Sequence, residues 1–97
     1  MNKYEVLYIL SAEQEDEAIA AQIEKFSGII TAGGGTVTEV DQWGRRRLAY
    51  PINYKNDGFY VLVNFEAPAE LPMELERNFK IDENVYRYMV IRKPEEK

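Results

Sequence analysis

Three consecutive arginines, Arg45-Arg46-Arg47, lie within the segment Trp43-Gly44-Arg45-Arg46-Arg47-Leu48-Ala49-Tyr50-Pro51-Ile52 of a 97-residue chain whose formal net charge is −5. Guanidinium groups are donor forks that suit carboxylates and phosphates. The chemistry this run offers is therefore recognition of an anionic group. Its neighbours Leu48, Tyr50 and Ile52 alternate as in a strand, and a strand points adjacent residues to opposite faces, so the three charges cannot all be buried. Pro51 lacks a backbone donor and is tolerated on an edge strand, which places the arginines along an open sheet edge where another molecule could dock.

Bond-making chemistry finds little material. The chain contains neither cysteine nor histidine, which removes disulfides, thiolate nucleophiles, imidazole bases and the usual zinc or copper ligands. A metal site could only be oxygen-based. Glu13, Glu15, Asp16, Glu17 and Glu24 do gather in one segment, but they suit the positive end of a helix dipole and read as a solvated helix start. An acylphosphatase-like site would need a glycine-rich, arginine-bearing first loop, and here that loop is Ser11-Ala12-Glu13-Gln14, neutral to acidic and repulsive to phosphate. Gly33-Gly34-Gly35 follows a helix instead of preceding one, so its amides form no phosphate cradle at a helix N-terminus. The expectation is a binding module, with no catalytic residues, cofactor, metal or small-molecule substrate.

An acidic balance argues on its face against nucleic acid, whose binding is dominated by Lys and Arg. The distribution restores the possibility, because Arg45 to Arg47 and then Arg77, Lys80, Arg87, Arg92 and Lys93 form two basic groups late in the chain. No apolar run approaches the ~20 residues of a membrane span, and Met1-Asn2-Lys3 leads directly into patterned sequence. The expected setting is cytoplasmic.

The elements that must position these residues follow from periodicity. Residues 3 to 10 alternate, with Tyr4, Val6, Tyr8 and Leu10 on one face and Glu5, Leu7 and Ile9 on the other, which reads as a strand. Ser11-Ala12-Glu13-Gln14 has the spacing of a capping box, and Ile19, Ile23, Phe26 and Ile30 form the stripe of a helix from about residue 13 to about 32, stopped by the three glycines. Thr36 to Ile52 reads as a long strand interrupted by a bulge or twist at Trp43-Gly44. Asn56-Asp57-Gly58 signals a turn. A third strand runs from Phe59 to Phe65, and Pro68 ends the pattern. Pro72 opens a helix with the stripe Leu71, Leu75 and Phe79, and Val85 to Arg92 forms a last strand with Tyr88 and Val90 opposite Arg87, Met89 and Ile91. Residues 94–97 read as a loose, charged tail on a domain spanning 1–93.

The order βαββαβ is the split, ferredoxin-like arrangement, an α+β fold. Right-handed crossovers put the first and third strands in the centre of a four-stranded antiparallel sheet and both helices on one face, so the arginine strand lies at an edge. Leu7, Ile9, Tyr60, Leu62, Met89 and Ile91 then line the bare face, as a contact surface or as dispersed surface apolarity. An RNA recognition motif carries stacking aromatics on its third strand. Here Asp57-Gly58-Phe59-Tyr60-Val61-Leu62-Val63-Asn64-Phe65 has Asp57 where a base is wanted and Val61 where the second aromatic belongs. Binding of single-stranded RNA on the open face is therefore the alternative reading.

Lys3-Tyr4-Glu5, Trp43-Gly44-Arg45-Arg46 with Leu48-Ala49-Tyr50-Pro51-Ile52, Gly58-Phe59-Tyr60, Asn84-Val85 and Met89-Val90 together resemble the bacterial small-subunit ribosomal protein six family, over almost the whole chain from Lys3 to Arg92. That resemblance implies a non-catalytic constituent of the small ribosomal subunit, which binds the central domain of the small-subunit ribosomal RNA together with small-subunit ribosomal protein eighteen. On this expectation Trp43, Arg45, Arg46, Arg47, Tyr50 and Tyr60 face the protein partner, with simple core packing as the alternative for Tyr50. Lys3, Arg77, Lys80, Arg87, Arg92 and Lys93 face the RNA. A basic partner would supply the positive field that an acidic chain lacks, and edge charges would discourage unwanted strand addition.

Overall fold

The computed structural model describes residues 1–52 and 55–94. Its elements are β1 (Asn2–Ser11), α1 (Asp16–Ala32), β2 (Thr36–Ile52), β3 (Lys55–Ala67), α2 (Leu71–Ile81) and β4 (Val85–Arg92). The strands form one sheet in the order β2-β3-β1-β4, every neighbouring pair antiparallel. This is the ferredoxin-like arrangement expected from the pattern, with the arginine strand at an edge.

Alternation in β1 and β3 decides where the core sits. Tyr4, Val6, Tyr8 and Leu10 face the helices together with Val61, Val63, Phe65 and Ala67, and meet Ile19, Ile23, Phe26 and Ile30 of α1 and Leu71, Leu75 and Phe79 of α2. Each such large apolar side chain contributes about 1.5–3 kcal/mol through burial. The rings of Tyr8, Phe26 and Phe79 lie within 4.5–5.3 Å of one another, and Tyr88 of β4 stacks on Phe79 at 5.2 Å. α1 ends where Gly34 takes φ +89°, a conformation that side chains with a Cβ resist.

Two local expectations are corrected. α1 begins at Asp16, with Glu15 as an N-cap that makes no side-chain cap bond, so Ser11-Ala12-Glu13-Gln14 is not a capping box. Ser11 is instead the last residue of β1, opposite Gly58, and its amide donates to Asn84 O at 2.8 Å. Sheet pairing has claimed the residue that local spacing assigned to the helix. Asn56-Asp57-Gly58 is likewise strand and not turn: Gly58 pairs with Arg46, Asp57 with Arg47 and Lys55 with Ile52. The hairpin thus runs beyond the end of β1 as a two-stranded arm. Of the expected tail 94–97, residues 95–97 lie outside the described residues.

Candidate interface on the open sheet face and its edge

The arm takes its shape from an irregularity in β2. Gln42 pairs with Val61 and Gly44 with Tyr60, so Trp43 is an extra residue in the ladder, and Gly44 has φ +87°. Two residues opposite one is a β-bulge, here at the predicted position. Its consequence is a change of face: with side chains alternating every residue, one inserted residue inverts everything that follows. Without it Arg45 would pair with Gly58 on the open face. With it Arg45 pairs with Phe59, whose side chain packs on the helical core, and Arg46 takes the place opposite Gly58.

Trp43 stacks on Tyr60 of the open face with ring centroids 6.1 Å apart and an interplanar angle of 10°. The Arg46 guanidinium lies 5.8 Å from the Trp43 ring, and Arg87 of β4 lies 4.7 Å from the ring of Tyr50. Ile9, Leu48, Ala49, Tyr50, Tyr60 and Arg87 surround a notch of about 130 Å³. A Cβ at Gly58 would collide with Ile9 and lie 3.1 Å from Leu48, so this glycine lets the arm close against β1. Tyr50 is 51 % exposed, which removes core packing as its role; Trp43 at 38 %, Met89 at 59 % and Ile91 at 47 % continue the apolar surface across the sheet.

Arg45 is engaged on the other side. Its Nε donates to Ala12 O at 3.2 Å, and its Nη2 donates to Gln14 O at 3.2 Å and to Asp16 Oδ1 at 2.9 Å. Lys55 Nζ donates to Glu13 Oε1 at 2.7 Å, and this hydrogen bond, reinforced by the carboxylate charge, raises the lysine pKa. Arg47 shares with Arg46 and Lys55 the wall of an open concavity between the arm and the β1–α1 loop. Lys55 was not among the expected site residues. Its signal, a basic residue close to the arginine strand across a reversal, required knowing where the hairpin turns.

The residues expected to meet RNA fall into three places. Lys3, Arg92 and Lys93 come together at one end of the sheet, where Lys93 N donates to Lys3 O at 2.8 Å, Arg92 Nη2 donates to Asn2 Oδ1 at 2.9 Å, and Lys93 pairs with Glu5 at 3.6 Å. Arg77 and Lys80 lie on α2, in the opposite layer. Arg77 is held there by Glu74 at 2.7 Å, a contact that raises the arginine pKa and lowers that of the glutamate. Arg87 belongs with Tyr50 on the open face. Among the described residues no cluster of three or more acidic groups could hold a metal ion, and no helix is long and apolar enough to cross a membrane.

The chain is similar to known proteins over nearly its whole length. Residues 3–92 match the family described as Ribosomal protein S6. The chain is 55 % identical over 91 residues to small ribosomal subunit protein bS6 of Clostridium novyi, covering 94 % of this chain and 96 % of the relative. It is 54 % identical over 92 residues to its counterpart in Alkaliphilus oremlandii, covering 95 % and 97 %. The crystal structure of 30S ribosomal protein S6 from Thermotoga maritima superposes with a TM-score of 0.91 at 25 % identity, covering 95 % of this chain and 87 % of that one.

Proposed function

The chain belongs to the ribosomal protein S6 family, and on that premise we propose that it binds the central domain of the small-subunit ribosomal RNA jointly with small-subunit ribosomal protein eighteen. It acts there as a structural constituent of the cytoplasmic ribosome, not as an enzyme. The observation that carries the reading is the shelf formed by exposed Trp43 and Tyr50 around half-buried Tyr60, bordered by Arg46 and Arg87, with Arg47 next along the same edge strand. Aromatic and arginine side chains dominate the energetics of protein interfaces, and this shelf is where the chain concentrates them. Lys3, Arg92 and Lys93 form the compact basic end that suits RNA phosphates; Arg77 and Lys80 on α2 are a separate patch. Base stacking has less support, because the exposed rings already have partners within the chain: Trp43 has Tyr60 and Arg46, and Tyr50 has Arg87.

With a net charge of −5, the isolated chain should bind a central-domain RNA fragment poorly. Adding protein eighteen should restore affinity with a steep salt dependence, since each phosphate neutralised releases counterions. Arg46→Glu with Arg47→Glu should weaken the heterodimer by at least about tenfold, roughly 1.4 kcal/mol, while leaving the melting temperature almost unchanged. An unaltered dissociation constant with a lowered melting temperature would move these arginines from the interface to internal salt bridges. Tight, sequence-specific RNA binding by the chain alone would favour the stacking alternative.

A further inference from the structure

Arg45 stands apart from its two neighbours, and we propose that it is a positioning residue: it ties the base of the β2–β3 arm to the β1–α1 loop so that Arg46, Arg47 and Tyr50 beyond it are presented in one orientation beside the Trp43–Tyr60 stack, and touches no partner itself. The inference rests on the partner reading above and assigns Arg45 a different role within it. The guanidinium is already committed, with two backbone carbonyls and one carboxylate as acceptors at 2.9–3.2 Å and the Phe59 ring 5.8 Å away. The Nε and Nη2 donors are thereby taken, which leaves only the N–H groups of Nη1 for a partner.

The arm needs such a lock. β1 ends at Ser11, opposite Gly58, so the hairpin beyond that pair has no third strand beside it, and a two-stranded ribbon is marginal in water. The loop it is tied to is well anchored on its far side. Gln14 Nε2 donates to Gln22 Oε1 at 2.7 Å, Gln22 Nε2 donates to the Asp82 carboxylate at 3.1–3.2 Å, and Tyr86 donates its hydroxyl hydrogen to Ser11 Oγ at 3.2 Å. Among the described residues, Arg45 at the base of the arm, opposite Phe59, and Lys55 within it supply the side-chain hydrogen bonds to this loop. Exposed ion pairs add little to global stability. Holding a contact surface in its bound orientation instead lowers the ordering cost of association.

Titration with protein eighteen separates a lock from a direct contact, because the two give Asp16→Asn opposite signs. A lock weakens when Asp16 loses its charge, so Asp16→Asn and Arg45→Met should each raise the dissociation constant by about 3- to 10-fold. The double variant should bind no worse than Arg45→Met alone, since both changes break one linkage. A direct contact would be freed by Asp16→Asn, so unchanged or tighter binding in that variant overturns the proposal, as does wild-type affinity in both single variants. Amide exchange in residues 55–58 of the free chain supplies a reading independent of any partner. It should accelerate at least about threefold in Arg45→Met and not in Arg47→Met, and equal rates would overturn the proposal. Should the wild-type chain fail to bind protein eighteen while exchange behaves as expected, the partner reading has failed and the lock stands.

Discussion

The two faces of this sheet each carry an aromatic cluster, and the clusters differ in what covers them. On the helical face Tyr8, Phe26, Phe79 and Tyr88 pack ring against ring, and Tyr8, Phe26 and Phe79 are almost fully buried. On the open face Trp43 stacks on Tyr60, and Trp43 and Tyr50 meet arginines where the other face has helices. A guanidinium over an exposed ring is worth about 0.5–1 kcal/mol, whereas truncating a buried aromatic costs about 3–5 kcal/mol. Stability is therefore stored on the covered face. The open face holds aromatic area that stays half in water at little cost to the fold.

The sharpest test of that division is Phe79→Ala, which should destabilise the fold by about 3–5 kcal/mol in urea unfolding, because the ring touches three others in a closed core. Met89→Ala on the open face should stay within about 0.5 kcal/mol; a comparable loss in both variants would break the comparison. Gly44→Ala comes next. Its φ of +87° is retained by the bulge, so a Cβ should cost about 1–2 kcal/mol and disturb the side assignments of Arg45 and Arg46, visible as loss of the Trp43 fluorescence environment.

The smallest effect concerns Tyr8, whose hydroxyl is buried among the described residues without a hydrogen-bond partner. Desolvation pushes its pKa well above the ordinary tyrosine value. An unfolded tyrosine ionises near pH ~10, so above that point the unfolded chain releases a proton that the folded chain retains. The stabilisation from this group is complete below pH ~10 and is lost as pH rises further. Tyr8→Phe should match or exceed the wild type at pH 7 by up to about 1 kcal/mol, and its stability should fall less steeply in alkali. Thermal melts between pH 7 and 11.5 check both; a less stable Phe variant at pH 7 would mean that the hydroxyl is bonded after all.

Periodicity by itself determined the six elements, their order, the core stripes of both helices and both central strands, and the edge position of the arginine strand. These follow from burial alternating every two residues or every three to four, and from the handedness of crossovers. The length of the second strand together with Gly44 located the bulge at Trp43-Gly44. Only the tertiary structure decided which side of the edge each arginine serves, because a one-residue insertion inverts the faces and its effect depends on the partner strand's register. The same dependence on distant chain explains why Ser11 joined β1 through Gly58 and Asn84 instead of capping α1, and why Asn56-Asp57-Gly58 lies within a ladder instead of a turn. Lys3 and Lys93, at opposite ends of the chain, share one basic end, whereas Arg77 and Lys80 lie in another layer. Charge order along a chain carries no information about which charges meet; strand pairing supplies it.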